Sequence, residues 1–164
     1  MSILKNTFRG IDKLIGRIAS MIFRSEKNRE MFRQFIKFSI IGVANTIIDF
    51  GIYTVMTRYI PFFDYRTSAR YLANVVSFLT GTTFSFFANR TWTFEMDGRA
   101  SIFEASRFYA TTVSGLIVNS LILFLFAGLF GIHDLVSKVF STIFSTIWNF
   151  SLKRLWVFAP NKNG

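Results

Sequence analysis

Two stretches of this chain run for about twenty residues or more without a charged side chain, and a third carries only one. Tyr71–Asn89 and Phe108–Ile132 hold no Asp, Glu, Lys or Arg, and Phe38–Thr57 holds only Asp49. An α-helix needs about 20 apolar residues to cross ~30 Å of hydrocarbon, so each stretch predicts a membrane span. Leu135–Leu152 is shorter and carries Lys138 near its start, from where a lysine can snorkel to the interface. It predicts a fourth span. Composition agrees: 51% of residues are hydrophobic, 22 are Phe, and 17% are charged against the usual quarter. The expected fold is an all-α integral membrane protein. Its spans fall at about 36–58, 70–89, 108–131 and 135–153, between a basic arm (1–34) and a short tail (159–164), with the membrane domain covering 35–158.

Composition also excludes chemistry. There is no cysteine and a single histidine, so disulfides, thiolate metal sites and a Cys nucleophile are absent and a His-based centre is hard to build. No catalytic residue, metal site or cofactor is expected, and the chain reads as a non-enzyme. The net charge of +10 could suggest nucleic acid, but basic residues flanking apolar spans orient them and meet anionic lipid, so no nucleic-acid partner is expected. With an inside N-terminus, residues 1–37, 90–107 and 153–164 hold fifteen Lys and Arg, and the outer connections hold four. The positive-inside rule therefore places both termini in the cytoplasm.

The arm has a helical period of its own. Phe8, Ile11, Leu14, Ile15, Ile18 and Ile22 share one face, and Arg9, Lys13 and Arg17 another. That pattern predicts an amphipathic helix lying in the plane of the cytoplasmic leaflet.

The second span also falls on the fourth after a shift of 64: Ser77 on Ser141, Phe86 on Phe150, Arg90 on Arg154, Trp92 on Trp156, Phe94 on Phe158. A shift of 70 brings Lys37 onto Arg107, Phe38 onto Phe108, Gly42 onto Thr112 and Asp49 onto Asn119. Both halves start on the same side of the membrane, so the expected architecture is two parallel two-helix repeats.

Polar residues recur along single helix faces. Asn74, Ser77, Gly81, Ser85 and Asn89 form one stripe, matched by Lys138, Ser141, Ser145, Asn149 and Lys153. Asn45 and Asp49 share a face of the first span, and Asn119 lies in the third. Small and hydroxyl residues allow close helix packing, which accounts for the Ser and Gly positions. It does not account for Asp49, since an ionised carboxylate in hydrocarbon costs at least about 2.5 kcal/mol and needs a partner or a wet cavity. Asn45, Asp49, Asn74, Ser77, Ser85, Asn119, Lys138, Ser141 and Asn149 are thus candidates for an intramembrane polar pathway. At the cytoplasmic ends, Asn89-Arg90 and Lys153-Arg154, each followed by aromatics, join Lys37 and Arg107. They read either as an aromatic belt with snorkelling cations or as a phosphate clamp, arginine offering a planar donor fork.

Gly42-Val43-Ala44-Asn45-Thr46-Ile47-Ile48-Asp49-Phe50, the Phe-x-x-Asn-Arg-x-Trp-x-Phe run ending at Phe94, and a degenerate second copy at Asn149–Phe158 together resemble the GtrA-like family, over roughly residues 32–158. The resemblance implies a protein of the bacterial cytoplasmic membrane that moves polyprenyl-phosphate-linked monosaccharides, such as undecaprenyl-phosphate glucose, across the bilayer for cell-surface polysaccharide, O-antigen or teichoic-acid glycosylation. It implies a partner glycosyltransferase. The chain's small size suggests a homo-oligomer. Two other expectations stand beside it: a non-transporting anchor or regulator of a glycosyltransferase, and a small proton-coupled exporter.

Overall fold

The computed structural model describes residues 9–63 and 69–159. Phe8, Arg66 and the tail beyond 159 lie outside the described residues. Helix α1 spans Arg9–Ile22, α2 Glu26–Tyr59, α3 Arg70–Ala88, α4 Ile102–Leu123 and α5 Asp134–Leu152. A 3-10 turn follows α2 at Pro61–Phe63, and π-helical turns follow α3 at Asn89–Thr93, α4 at Phe124–Leu129 and α5 at Lys153–Val157. Among the described residues there is no strand. The chain divides into two compact units, one through Glu95 and one from Met96.

Among the described residues, three helical segments are long and apolar enough to cross a membrane: Glu26–Tyr59, Arg70–Thr93 and Ile102–Leu129. Helix α5 forms over 19 residues but is not among them, because Ser, Thr and Asn occupy every turn of one face. At 34 residues α2 is about 50 Å long, well beyond the hydrocarbon thickness. Its first turns carry the charges, paired as Arg29–Glu26 at 3.2 Å and Arg33–Glu30 at 3.5 Å, and the helix continues through residues 34 and 35 without a break. Helix α4 starts earlier than its apolar run because Ser101 and Glu104 form a capping box. His133 begins α5, its Nδ1 accepting from the Leu135 N–H at 3.3 Å.

In the first unit α2 and α3 pack antiparallel, and α1 docks through Ile15 and Ala19, its only buried residues. In the second unit α4 packs against α5. Both units are apolar outside, and most of the positions that α3 and α5 bury are small or polar. In α3 the buried residues are Ala73, Ser77, Gly81, Thr82, Ser85 and Phe86, whereas Val75, Leu79, Phe84 and Phe87 are exposed. In α5 Ser137, Ser141 and Ser145 are buried and Val139, Phe140, Ile143 and Phe144 are exposed. An inverted pattern of this kind suits a lipid solvent, where small residues let helices approach and apolar side chains face acyl chains. Glycines set the closest approaches. A Cβ on Gly81 would lie 2.6 Å from Asn45 Oδ1, and one on Gly115 would lie 2.6 Å from Asn149 Cγ.

Candidate functional site

Each unit gathers cations and aromatics at one end. In the first, Lys37 is almost fully buried. Its Nζ lies 2.9 Å from Asp12 Oδ1, donates to Glu95 Oε1 and to the Trp92 carbonyl at 3.2 Å each, and sits 5.7 Å above the Trp92 ring. The carbonyl belongs to the π-helical turn, which places it within reach of Nζ. The Trp92 indole N–H donates to both Asp12 oxygens at 3.2 Å. A buried ammonium persists only when paired and hydrogen-bonded, and here two carboxylates and a carbonyl meet that demand. Asn89 clasps the same turn: its amide donates to the Ser85 carbonyl at 2.8 Å, and its Oδ1 accepts from the Thr93 hydroxyl at 3.0 Å. Arg90 is 4% exposed, inside the unit and not on its rim.

The second unit builds a similar end from different parts. Arg107 lies 5.6 Å from the Trp156 ring, and buried Lys153 places Nζ 3.8 Å above Phe108, which meets Phe158 at 6.0 Å. Arg154 is half-buried, and its Nη1 is buried without a hydrogen-bond partner among the described residues. The π-helical turns carrying Arg90 and Arg154 begin 64 residues apart, at Asn89 and Lys153.

Deeper in each unit lies a second polar group. Half-buried Asp49 shares with Thr46, Phe50, Tyr53 and the exposed Asn74 a cavity of about 300 Å³. One turn away, Asn45 Oδ1 is buried against Gly81 without a hydrogen-bond partner among the described residues. In the other unit Asn119 donates to Ser145 Oγ at 3.2 Å and accepts from Lys138 Nζ at 3.3 Å. Lys138 opens onto a cavity of about 640 Å³ lined also by Ser120, Phe124 and Leu135. Ser77, Ser141 and Ser145 are buried and donate to carbonyls of their own helices. Asn149 packs on Gly115 and Ser85 on Asn89. Among the described residues no cluster of His, Asp and Glu could hold a metal.

Sequence reasoning missed Asp12 and Glu95. Asp12 is the sole acid of α1, and Glu95 has a positive φ of 50° immediately after the aromatic run. Neither shares a period with Lys37.

Long apolar helices with exposed hydrocarbon faces, small inward residues and buried cations at helix ends define a multi-pass α-helical membrane protein. The chain belongs to the family described as the GtrA/DPMS transmembrane domain, whose model matches residues 37–158. It is 32% identical over 137 residues to an uncharacterized membrane protein, YngA, of Bacillus subtilis (strain 168), covering 81% of this chain and 84% of that one. It is 25% identical over 126 residues to the cell wall teichoic acid glycosylation protein GtcA of Listeria monocytogenes, covering 75% and 83% respectively.

Proposed function

We propose that this protein translocates a polyprenyl-phosphate-linked monosaccharide, of the undecaprenyl-phosphate glucose type, across the bacterial cytoplasmic membrane for glycosylation of a cell-surface polymer. The observation that carries the reading is the pairing, within each unit, of a cation- and aromatic-rich end with a polar group deeper along the helices. A lipid-linked sugar has a phosphate that cannot cross hydrocarbon bare, hydroxyls that need hydrogen-bond partners, and a chain that stays in lipid. Arg154 has an unused guanidinium donor for the first, and Asn45, Asp49, Asn119 and Lys138 offer polar groups for the second. The name of the Listeria relative associates that protein with teichoic acid glycosylation, and the proposal extends that association to this chain.

In this reading α5 is the fourth crossing, both termini are cytoplasmic, and α1 lies in the cytoplasmic leaflet. The Lys37–Trp92 and Arg107–Trp156 stacks, related by shifts of 70 and 64, support two parallel repeats. The protein acts without bond chemistry, as a non-enzyme that hands substrate to a glycosyltransferase, and works as a homo-oligomer in contact with anionic lipid. The test is reconstitution of the purified chain alone in vesicles with a labelled polyprenyl-phosphate sugar. Leaflet exchange above protein-free vesicles is expected. No exchange, with the protein folded, would leave a scaffold for a glycosyltransferase as the better reading.

A further inference from the structure

The contact between α1 and the end of the first unit has a chemistry that packing does not require. Lys37 Nζ and the Trp92 indole N–H are donors only, and they converge on one carboxylate. Asp12 Oδ1 stands 2.9 Å from Nζ, and both its oxygens stand 3.2 Å from Nε1. Two donors from separate helical elements, one cationic and both almost fully buried, make a socket for an oxyanion. We propose that Asp12 is a resident stand-in for a phosphate-class oxyanion, and that α1 is a plug which closes the Lys37–Trp92 socket until it lifts away. The proposal rests on the phosphate-carrying substrate proposed above and adds its regulation.

Charge explains why the plug excludes a ligand. With Asp12 seated, one ammonium faces two carboxylates, because Glu95 also lies 3.2 Å from Nζ. A phosphate entering there would have to compete with both carboxylates for that ammonium. With Asp12 withdrawn, Lys37 keeps the Trp92 carbonyl and one carboxylate, Glu95, whose side chain is 56% exposed to water.

The plug is also built to come out. Only Ile15 and Ala19 of α1 are buried, and Asp12 retains 26% of its side-chain exposure. The link to α2 is three residues long, and Ser25, which precedes α2, makes no side-chain cap. The rest of α1 has another place to go. Leu14, Met21 and Ile22 are exposed on the same helix as Arg9, Lys13 and Arg17, and apolar and basic faces together favour an anionic lipid surface. The family match begins at Lys37, so the plug lies outside the shared domain whereas the socket lies within it.

The test uses the full chain in phosphatidylcholine nanodiscs, with undecaprenyl phosphate as the lipid probe and inorganic phosphate in a parallel arm. Asp12→Asn keeps the size and an acceptor for the indole but removes the charge, and should tighten binding about ten-fold, the usual worth of one charge-assisted hydrogen bond. Asp12→Glu should return it towards wild type, and adding Lys37→Gln to Asp12→Asn should abolish the gain. A gain in both arms assigns a site for any small phosphate, and a gain with the lipid alone assigns a headgroup site. Hydrogen exchange supplies a readout that needs no ligand: in Asp12→Asn the α1 amides should exchange faster while those of α4 and α5 stay unchanged. Unaltered α1 protection, or Asp12→Asn binding no tighter than wild type while Lys37→Gln weakens it, would overturn the plug and leave the phosphate site standing. Faster α1 exchange with no phosphate binding in any variant would instead overturn the phosphate chemistry of both proposals and leave α1 as a plain latch.

Discussion

Replacing Gly115 by alanine tests how tightly α4 and α5 are joined. The added Cβ would stand 2.6 Å from Cγ and Oδ1 of Asn149, with Nδ2 nearer still. Ordinary contact begins near 3.5 Å, so about 1 Å of movement is required. Because Cγ is too close as well as the amide tip, a rotation of the terminal amide cannot relieve the overlap. Either Asn149 leaves its rotamer or the helices separate, and overpacking of this kind typically costs about 1–3 kcal/mol. Asn149→Ala alone should cost little, because its Oδ1 is buried without a partner and no hydrogen bond to it is lost. The double variant should then recover most of the Gly115→Ala loss, with a coupling energy of about 1–2 kcal/mol. Gly42 supplies the control, since a Cβ there meets nothing within 4 Å. Gly42→Ala should be neutral or stabilising by up to about 1 kcal/mol, as expected for glycine in a helix interior. The assay is reversible unfolding of the purified protein in mixed micelles, followed by tryptophan fluorescence. Trp148 donates to Ser114 Oγ at 3.0 Å across the same helix pair and should report its loosening. Gly115→Ala within about 0.3 kcal/mol of wild type, or a double variant no better than the single, would refute the packing argument.

Asp49→Asn preserves shape and hydrogen bonding but removes ionisation, and transport in vesicles should collapse while membrane abundance holds; full activity would make Asp49 a packing residue. Lysine and then glutamine at Arg90 and Arg154 should weaken binding of a polyprenyl-phosphate sugar in that order, about ten-fold or more for glutamine, because lysine keeps the charge and loses the planar fork. Equal affinity in both glutamine variants would dismiss the clamp. Reporter fusions at Gly98 and Gly164 should read cytoplasmic and one at Phe63 external, and an external Gly164 would remove α5 as a crossing.

Hydropathy located the lipid-facing stretches of this chain but not the ends of its helices. The run Tyr71–Asn89, and Phe108–Ile132 as far as Leu129, sit inside helices because unbroken apolar sequence in lipid has no other way to satisfy its backbone. Their boundaries answer to different forces. The Ser101–Glu104 box starts α4 six residues before its apolar run, and i,i+3 charge pairs carry α2 back to Glu26. The inward face of α3 was legible for a simple reason. Ala73, Ser77, Gly81 and Ser85 are small residues recurring every four positions in a helix rich in bulky ones, and two helices approach along such a line. The meeting of Asp12 with Lys37 left no periodic trace. It depends on how α1 folds back after residue 22, which a three-residue link does not encode.

The stripe divides further by what its polar atoms already do. Ser77, Ser141 and Ser145 return their hydroxyls to carbonyls three residues earlier in their own helices, as Thr80 and Thr142 do four residues earlier. Such side chains gain a satisfied donor at once and have little to offer a passing sugar, so their inward placement needs no explanation beyond close packing. Asn45 Oδ1, Thr82 Oγ1, Asn149 Oδ1 and Arg154 Nη1 are different: each is buried with no hydrogen-bond partner among the described residues. An unpaired buried polar atom costs roughly 1–3 kcal/mol. In a helical membrane protein, where apolar substitutes of similar size exist for each, that cost needs a return. Hydroxyls and a phosphate are the kind of partner that Asn45 and Thr82 lack in the first unit and that Asn149 and Arg154 lack in the second. On this argument Asn45→Leu and Asn149→Leu should raise or preserve stability in micelles while slowing exchange of the lipid-linked sugar, whereas Ser77→Ala and Ser141→Ala should leave exchange near wild type. The opposite ranking, with serine variants impaired and asparagine variants active, would move the pathway from the unsatisfied atoms to the stripe itself.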